Sequence, residues 1–257
     1  MKQNSFIAII PARYASTRFP GKPLAEIGGK TMIERVYTQV RKAVDRVWVA
    51  TDDERIADEV RRFGGNVVMT SASHPSGTDR LREAASKVAA PNDIIINVQG
   101  DEPFIDPAQI NAVKGCFNDD ATSIATLARK FKAADGFKRL SDPNLVKVVT
   151  GADGQALYFS RSVIPYFRGK ETEEWPSCHQ YLTHIGMYAY RYSVLMEIAS
   201  LQRSPLEIAE SLEQLRWLEN GYTIKVALSD APTIGIDTPA DLEDAIEFLN
   251  HNKEIYG

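Results

Sequence analysis

Between residue 6 and about residue 118, short apolar runs alternate with stretches of helical periodicity, and few folds accept that alternation. Residues 6–10 (Phe-Ile-Ala-Ile-Ile), 46–51, 66–69 and 93–98 read as buried strands. Residues 31–43 carry Met32, Val36 and Val40 at helical spacing. Residues 52–63, closed by Gly64-Gly65, 79–89 and 107–117 also read as helices. Pro107 falls in a first turn, where its missing N–H costs nothing. Strands and helices in strict alternation imply a mostly parallel sheet covered by helices on both faces. The second half is more mixed, with strands at 123–129, 146–150, 156–159, 185–191 and 222–228 and helices at 193–200, 205–220 and 239–250. The prediction is an α/β fold with a mostly parallel central sheet and an elaborated, partly antiparallel second half. The chain reads as one domain over 1–257, with a soft junction near 118–123.

The first strand runs into Pro11-Ala12-Arg13-Tyr14-Ala15-Ser16-Thr17-Arg18-Phe19-Pro20-Gly21-Lys22-Pro23. Arg13, Arg18 and Lys22 lie within ten residues of one another among small residues and prolines. Small residues let backbone N–H groups approach an anion, cations neutralise it and prolines stiffen the loop, a combination that suits a polyphosphate. Charge alone would equally describe a solvated surface loop. The position decides, because open α/β sheets bind ligands at the carboxyl ends of their strands. The loop lacks the Gly-x-x-x-x-Gly-Lys-Ser/Thr pattern of the common ATPases and kinases, and no G-x-G-x-x-G of a dinucleotide enzyme follows the strand.

Composition narrows the ligand. The 257 residues carry a net charge of −4, which opposes bulk nucleic-acid binding and favours a small anion on a local cationic loop. Cys116 and Cys178 lack C-x-x-C spacing, so neither a disulfide framework nor a zinc ribbon is expected. Residues 6–10 are too short for a signal-peptide core and no apolar run reaches membrane-spanning length, so a cytoplasmic protein without membrane insertion is expected.

Two carboxylates follow strand-like segments. Asp101, in Asn97-Val98-Gln99-Gly100-Asp101-Glu102-Pro103, sits just past a strand end, where it can hold a hard cation such as Mg²⁺ or cap a turn. The cationic loop tips the reading towards metal. Asp237, in Ile234-Gly235-Ile236-Asp237-Thr238-Pro239, can do the same or cap the last helix, although Thr238 is better placed as the cap. Ser76, Gly77, Thr78 and Arg80 form a loop into a helix and read first as its N-cap, with the edge of a base as the alternative. In the second half Arg161, His184, Tyr188, Glu213 and Gln214 each read first as structural or solvated. On a strand, His184 and Tyr188 would share a face.

In order along nearly the whole chain, these segments resemble the 3-deoxy-D-manno-octulosonate (Kdo) cytidylyltransferases. The resemblance rests on residues 10–24, Val49-Ala50-Thr51-Asp52, Ser76-Gly77-Thr78-Asp79-Arg80, Asn97-Val98-Gln99-Gly100-Asp101-Glu102-Pro103, Val146-Lys147-Val148-Val149, Tyr158-Phe159-Ser160-Arg161, Ser204-Pro205-Leu206-Glu207, Leu212-Glu213-Gln214-Leu215-Arg216 and Asp237-Thr238-Pro239. Phe19 stands where that family often has Leu. The resemblance implies a Rossmann-like nucleotidyltransferase α/β/α sandwich, with residues 1–118 mainly for the nucleotide and 119–257 mainly for the sugar and for homodimerisation. The implied reaction joins CTP and Kdo to give CMP-Kdo and pyrophosphate for lipopolysaccharide synthesis, with Mg²⁺ on Asp101 and Asp237. Arg13, Arg18 and Lys22 would hold the triphosphate, and Ser76, Gly77, Thr78 and Arg80 would read cytosine. Gln99, Arg161, His184, Tyr188, Glu213 and Gln214 would hold the sugar. Two alternatives remain: the same chemistry on 8-amino-Kdo or a sialic acid, and a non-catalytic nucleotide-sugar binding module.

Overall fold

The computed structural model describes residues 4–15, 19–74, 76–231 and 234–256. They form two compact units: Met1–Asn111 with Arg191–Ala199 and Ala231–Gly257, and Ala112–Tyr190 with Ser200–Asp230. The expected division near residue 118 therefore differs from the observed one. Segments 191–199 and 231–257, assigned by sequence to the second part, belong to the first unit.

The first unit starts with β1 (Ser5–Ala12), a 3₁₀ turn at Lys22–Leu24 and a two-strand hairpin, β2 (Glu26–Ile27) and β3 (Lys30–Thr31). Then follow α1 (Met32–Arg41), β4 (Val47–Thr51), α2 (Glu54–Arg62), β5 (Asn66–Met69), α3 (Gly77–Val88) and β6 (Asp93–Asn97), after which α4 (Pro107–Cys116) leads into the second unit. Strands β6, β1, β4 and β5 are parallel neighbours in that order. Ile7, Ile9 and Ile10 of β1 are wholly buried, each contributing about 1.5–3 kcal/mol of apolar burial. Strand β1 pairs Ala12 with Thr51 and Ile9 with Asn97, so the carboxyl ends of β1, β4 and β6 open on the same edge. The loops carrying Arg13, Asp52 and Asp101 leave from that edge.

Helix starts follow side-chain caps. Thr31 accepts from the Glu34 N–H at the start of α1, Asp53 from the Arg55 N–H at α2, and Ser76 from the Asp79 N–H at α3. Each such cap contributes about 1 kcal/mol. Helix α3 begins two residues before the expected start because Ser76 supplies that cap.

The second unit contains β7 (Ile124–Lys130), α5 (Gly136–Leu140), β8 (Lys147–Thr150), β9 (Ala156–Ser160), α6 (Trp175–Cys178) and β10 (Leu182–Arg191). Helix α7 (Tyr192–Ile198) belongs to the first unit, and α8 (Pro205–Glu210), α9 (Glu213–Glu219) and β11 (Ile224–Leu228) to the second. Strand β7 pairs parallel with β11 and antiparallel with β10, while β10–β8 and β8–β9 are antiparallel. The second half is thus partly antiparallel, as expected.

The helix expected over 205–220 is broken. Ser211 adopts a left-handed conformation (φ 51°) between α8 and α9. The Arg161 guanidinium takes the Glu210 and Ser211 carbonyls at 2.6 and 3.3 Å, satisfying acceptors that a continuous helix would have used itself.

The chain finishes in the first unit with α10 (Pro239–His251) and α11 (Lys253–Tyr256). Ile236, Ala245 and Leu249 bury against Ile27, Met32 and Phe104, with Phe19, Leu242 and Phe248 packed around them. This cluster fixes Asp237 at the end of a wholly buried residue, Ile236.

Candidate active site

Three chain segments meet at Lys22. Its ammonium lies 2.7 Å from Asp101 Oδ2 and 3.3 Å from Asp237 Oδ1, and donates to the Ile236 carbonyl at 2.9 Å. Asp101 follows β6, and its carbonyl accepts the Ile236 N–H at 3.0 Å, which ties the two aspartate loops together. Thr238 is the N-cap of α10 and accepts from the Asp241 N–H, so the Asp237 carboxylate is not the cap. Both aspartates therefore face one cation.

A close approach dictates a glycine beside them. A Cβ on Gly100 would come within 2.8 Å of the Pro11 carbonyl of β1. The missing side chain lets the backbone of the first strand approach closely. Glu102, the residue after Asp101, was not singled out by sequence. Burial, and then the Asp101 charge, push its carboxyl up to about 7.

The loop after β1 reaches towards α3. Arg13 Nη2 donates to the Ser76 carbonyl at 2.8 Å and to the His74 carbonyl at 3.2 Å. Burial, then repulsion from Arg80, lower the Arg13 pKa below the usual arginine value. Its remaining N–H groups take no hydrogen bond among the described residues and can meet an anion. Arg18 lies outside the described residues.

Ser76 caps α3 with its hydroxyl, Gly77 opens on empty space and Thr78 is buried. Arg80, expected at the base, is placed differently. It is wholly buried, donates to Thr70 Oγ1 at 2.6 Å and lies 3.1 Å from Asp52 Oδ2. Its Nε and Nη2 make no hydrogen bond among the described residues, and the Asp52 and Thr70 contacts hold its guanidinium behind the loop. Gln99 is half-buried between β6 and Asp101.

On chemistry alone, Asp101 and Asp237 suit a hard divalent cation. They are two oxygen donors converging on a point already occupied by positive charge, and Mg²⁺ commonly takes one or two carboxylates and fills its shell with water and phosphate. Among the described residues no group of three or more His, Cys, Asp or Glu forms an all-protein metal site. The remaining ligands would have to come from substrate and water.

Comparison with known proteins agrees with this arrangement. A family model described as Cytidylyltransferase matches residues 7–225. The 3-deoxy-manno-octulosonate cytidylyltransferase of Bacteroides thetaiotaomicron is 59% identical over 96% of this chain and 98% of its own. That of Phocaeicola vulgatus is 60% identical over the same shares. The chain belongs to the 3-deoxy-manno-octulosonate cytidylyltransferase family. A solved structure of CMP:2-keto-3-deoxy-manno-octonic acid synthetase complexed with CTP matches with a TM-score of 0.88 at 44% identity, covering 97% of this chain and 100% of that one. The nucleotidyltransferase α/β fold expected from the sequence is thereby shown.

Two residues that this family resemblance marks in the second unit, His184 and Tyr188, flank a β-bulge. His184 pairs with Ala128 and Tyr188 with Thr126, with a register shift between Ile185 and Tyr188. Residues four apart on a regular strand stand about 13 Å apart. Here the bulge brings the His184 and Tyr188 rings to 5.3 Å. Thr126, wholly buried and unnoticed in the sequence, holds the bulge, donating to the Met187 carbonyl at 2.8 Å and meeting His184 Nε2 at 3.0 Å. Burial lowers the His184 pKa to about 4, so the ring is neutral at pH 7.

Among the described residues the Tyr188 hydroxyl, Gln214 Nε2 and Trp217 Nε1 are buried without a well-formed hydrogen bond, although Thr126 stands close enough to Tyr188 to oppose the rise in its pKa. A buried polar atom without a partner costs about 1–3 kcal/mol and asks for a ligand or water. Burial raises the Tyr188 pKa well above its ordinary value, which keeps the hydroxyl a donor. Glu213 accepts from Arg216 Nη2 at 2.6 Å. Arg161, expected to meet a sugar acid, commits Nε, Nη1 and Nη2 to the carbonyls of Glu210, Pro143 and Ser211. Lys147, also wholly buried, takes the Arg161 carbonyl at 2.5 Å. Arg161 thus serves first as the brace at the α8–α9 break.

Proposed function

We propose that the chain transfers CMP from CTP to the anomeric hydroxyl of Kdo, giving CMP-Kdo and pyrophosphate. The observation that carries this reading is the Lys22–Asp101–Asp237 cluster at the mouth of the cationic loop, in a chain of this family. The sugar hydroxyl attacks the α-phosphorus, the new P–O bond forms as the bond to the β-phosphate oxygen breaks, and the hydroxyl proton leaves to water. Arg13 and Lys22 neutralise the triphosphate and draw charge onto the departing pyrophosphate. Such fixed charge, with positioning, is the main lever of phosphoryl transfer.

Mg²⁺, held by Asp101 and Asp237 when bound, supplies charge neutralisation and lowers the pKa of the attacking hydroxyl. Ser76, Gly77 and Thr78 offer backbone groups at the start of α3 to the cytosine edge, and Arg13 holds the Ser76 carbonyl in place. On the sugar, the buried Tyr188 hydroxyl and Gln214 amide are donors to hydroxyl oxygens, and Glu213 joins them as an acceptor. His184, kept neutral, orients Tyr188 through ring contact.

The wider setting follows from the product. CMP-Kdo feeds lipopolysaccharide synthesis, which places the enzyme in the cytoplasm. No helix among the described residues is long and apolar enough to cross a membrane. Exposed Leu157, Tyr166 and Ile208 in the second unit support a homodimer formed there.

The test is pyrophosphate release by purified protein with CTP, Mg²⁺ and Kdo, beside UTP and EDTA controls. Release only with CTP, Kdo and metal is expected. Release with 8-amino-Kdo or a sialic acid but not Kdo would move the substrate. Silence with every acceptor while CTP binds would favour a binding module.

A further inference from the structure

Tyr14 stands at the neck of the phosphate loop. Its carbonyl accepts the Gly21 N–H at 2.9 Å. Its ring lies against the Gly21 α-carbon: a Cβ there would sit 3.2 Å from Tyr14 Cε2 and Cζ. Gly21 has φ +72°, a left-handed conformation that also excludes most side chains. The next residue is Lys22, so the Tyr14 ring borders the corner from which the lysine projects.

That ring is held in turn. The Arg55 guanidinium carbon lies 3.3 Å from the Tyr14 ring centroid, a cation–π contact. Arg55 is exposed, yet it is not a loose side chain. Asp53 grips it in a fork, with Nε to Oδ1 at 2.9 Å and Nη2 to Oδ2 at 2.7 Å. Asp53 also caps α2 by accepting the Arg55 N–H at 3.0 Å. The first turn of α2 therefore fixes the plane of a cation that lies over the loop's only described aromatic ring in residues 13–15. The contacts run from Asp53 through Arg55 and Tyr14 to Gly21 and Lys22.

We propose that Arg55 is a positioning residue for nucleotide binding: it holds Tyr14, and through it the Gly21-Lys22 corner, in the triphosphate-binding conformation before CTP arrives. A loop of small residues loses conformational freedom when it closes on a ligand, and ordering it beforehand removes that cost from binding. Because the loop is ordered equally in the ground and transition states, the effect belongs in KM for CTP and leaves kcat alone. The inference rests on the CTP reading above.

The test compares Arg55→Ala, Tyr14→Leu, Tyr14→Phe and the Arg55→Ala/Tyr14→Leu double variant with the wild type. KM for CTP and kcat are read by pyrophosphate release, CTP Kd by calorimetry and Tm by thermal melting. Arg55→Ala and Tyr14→Leu are each expected to raise KM and Kd for CTP about three- to tenfold, with kcat within about twofold. Tyr14→Phe, which keeps the ring face, is expected to stay within about twofold of wild type. The double variant is expected to match the worse single one, because the two residues act in series. A role confined to steadying the Asp53 cap of α2 would lower Tm of Arg55→Ala with KM for CTP unmoved, and would overturn the proposal. Multiplying single-variant effects in the double variant would overturn it as well. If the wild type releases no pyrophosphate, the functional reading fails on its own, and the calorimetric CTP series still decides the positioning role.

Discussion

Replacing Lys22 by Met separates what the lysine does for folding from what it does for the reaction. Methionine keeps the unbranched stem and most of its packing while removing the charge. Lys22 touches Asp101 Oδ2 at 2.7 Å, the Ile236 carbonyl at 2.9 Å and Asp237 Oδ1 at 3.3 Å. The Asp237 side chain is 52% exposed and the Asp101 side chain 32% exposed, so water replaces the ammonium on both. The Asp237 contact then counts as a surface pair, about 0–1 kcal/mol. The shorter contacts are charge-assisted bonds of about 1.5–3 kcal/mol when dry, reduced here by that solvation. A net loss of about 2 kcal/mol follows, and at about 2–4 °C per kcal/mol Tm falls by roughly 4–8 °C. The catalytic loss is larger. A preorganised donor on developing charge contributes about 2.7–4 kcal/mol, so kcat/KM for CTP should fall about 10²–10³-fold. Pyrophosphate release at saturating Kdo and Mg²⁺, beside a melting curve, measures both. A folded Lys22→Met protein within about tenfold of wild type would remove Lys22 from the triphosphate.

Other perturbations probe separate parts of the site. Tyr188→Phe deletes a buried hydroxyl that makes no well-formed hydrogen bond among the described residues, so Tm should hold or rise while KM for Kdo rises about tenfold; a Tm loss above about 1 kcal/mol equivalent, with KM unchanged, would mean the hydroxyl serves the fold through Thr126. His184 is neutral when folded, its pKa lowered from 6.5 to about 4, so the unfolded chain binds the extra proton between those values. Stability should therefore be complete above about pH 6.5 and fall as pH drops towards 4, and His184→Gln should flatten that slope in urea titrations; an unchanged slope would place the titration elsewhere. Gly100→Ala pushes a Cβ to 2.8 Å from the Pro11 carbonyl and should cost about 1–3 kcal/mol in denaturant unfolding; an unaffected midpoint would show that the loop shifts freely.

Much of this was legible along the chain, because local physics controls it. Apolar runs and helical spacing located the parallel strands and helices of the first unit. Capping chemistry separated Thr238 from Asp237, leaving the carboxylate for other work. The cationic loop and Asp101 could be placed at strand ends because parallel sheets present their ligands there.

What stayed hidden depends on packing between distant segments. Nothing local brings Lys22 to Asp237; the cluster of Ile27, Met32, Phe104 and Ile236 does so. Arg80 reads with the N-cap segment of a helix, and only its contacts with Asp52 and Thr70, distant in sequence, show it wholly buried. The β10 bulge is invisible to an alternation pattern, yet it alone stacks His184 near Tyr188, with Thr126 behind it. Ser211 carries no helix-breaking signature, and the break it makes depends on Arg161 reaching from fifty residues away.

The most direct test of cytidylyl transfer is the product itself. Wild type and Asp101→Asn would be incubated with CTP, Kdo and Mg²⁺, and CMP-Kdo and pyrophosphate quantified together by mass spectrometry and a coupled assay. One CMP-Kdo per pyrophosphate from the wild type, and none from a folded Asp101→Asn protein, is the expected result. Pyrophosphate without CMP-Kdo, or product from Asp101→Asn at the wild-type rate, would contradict the account.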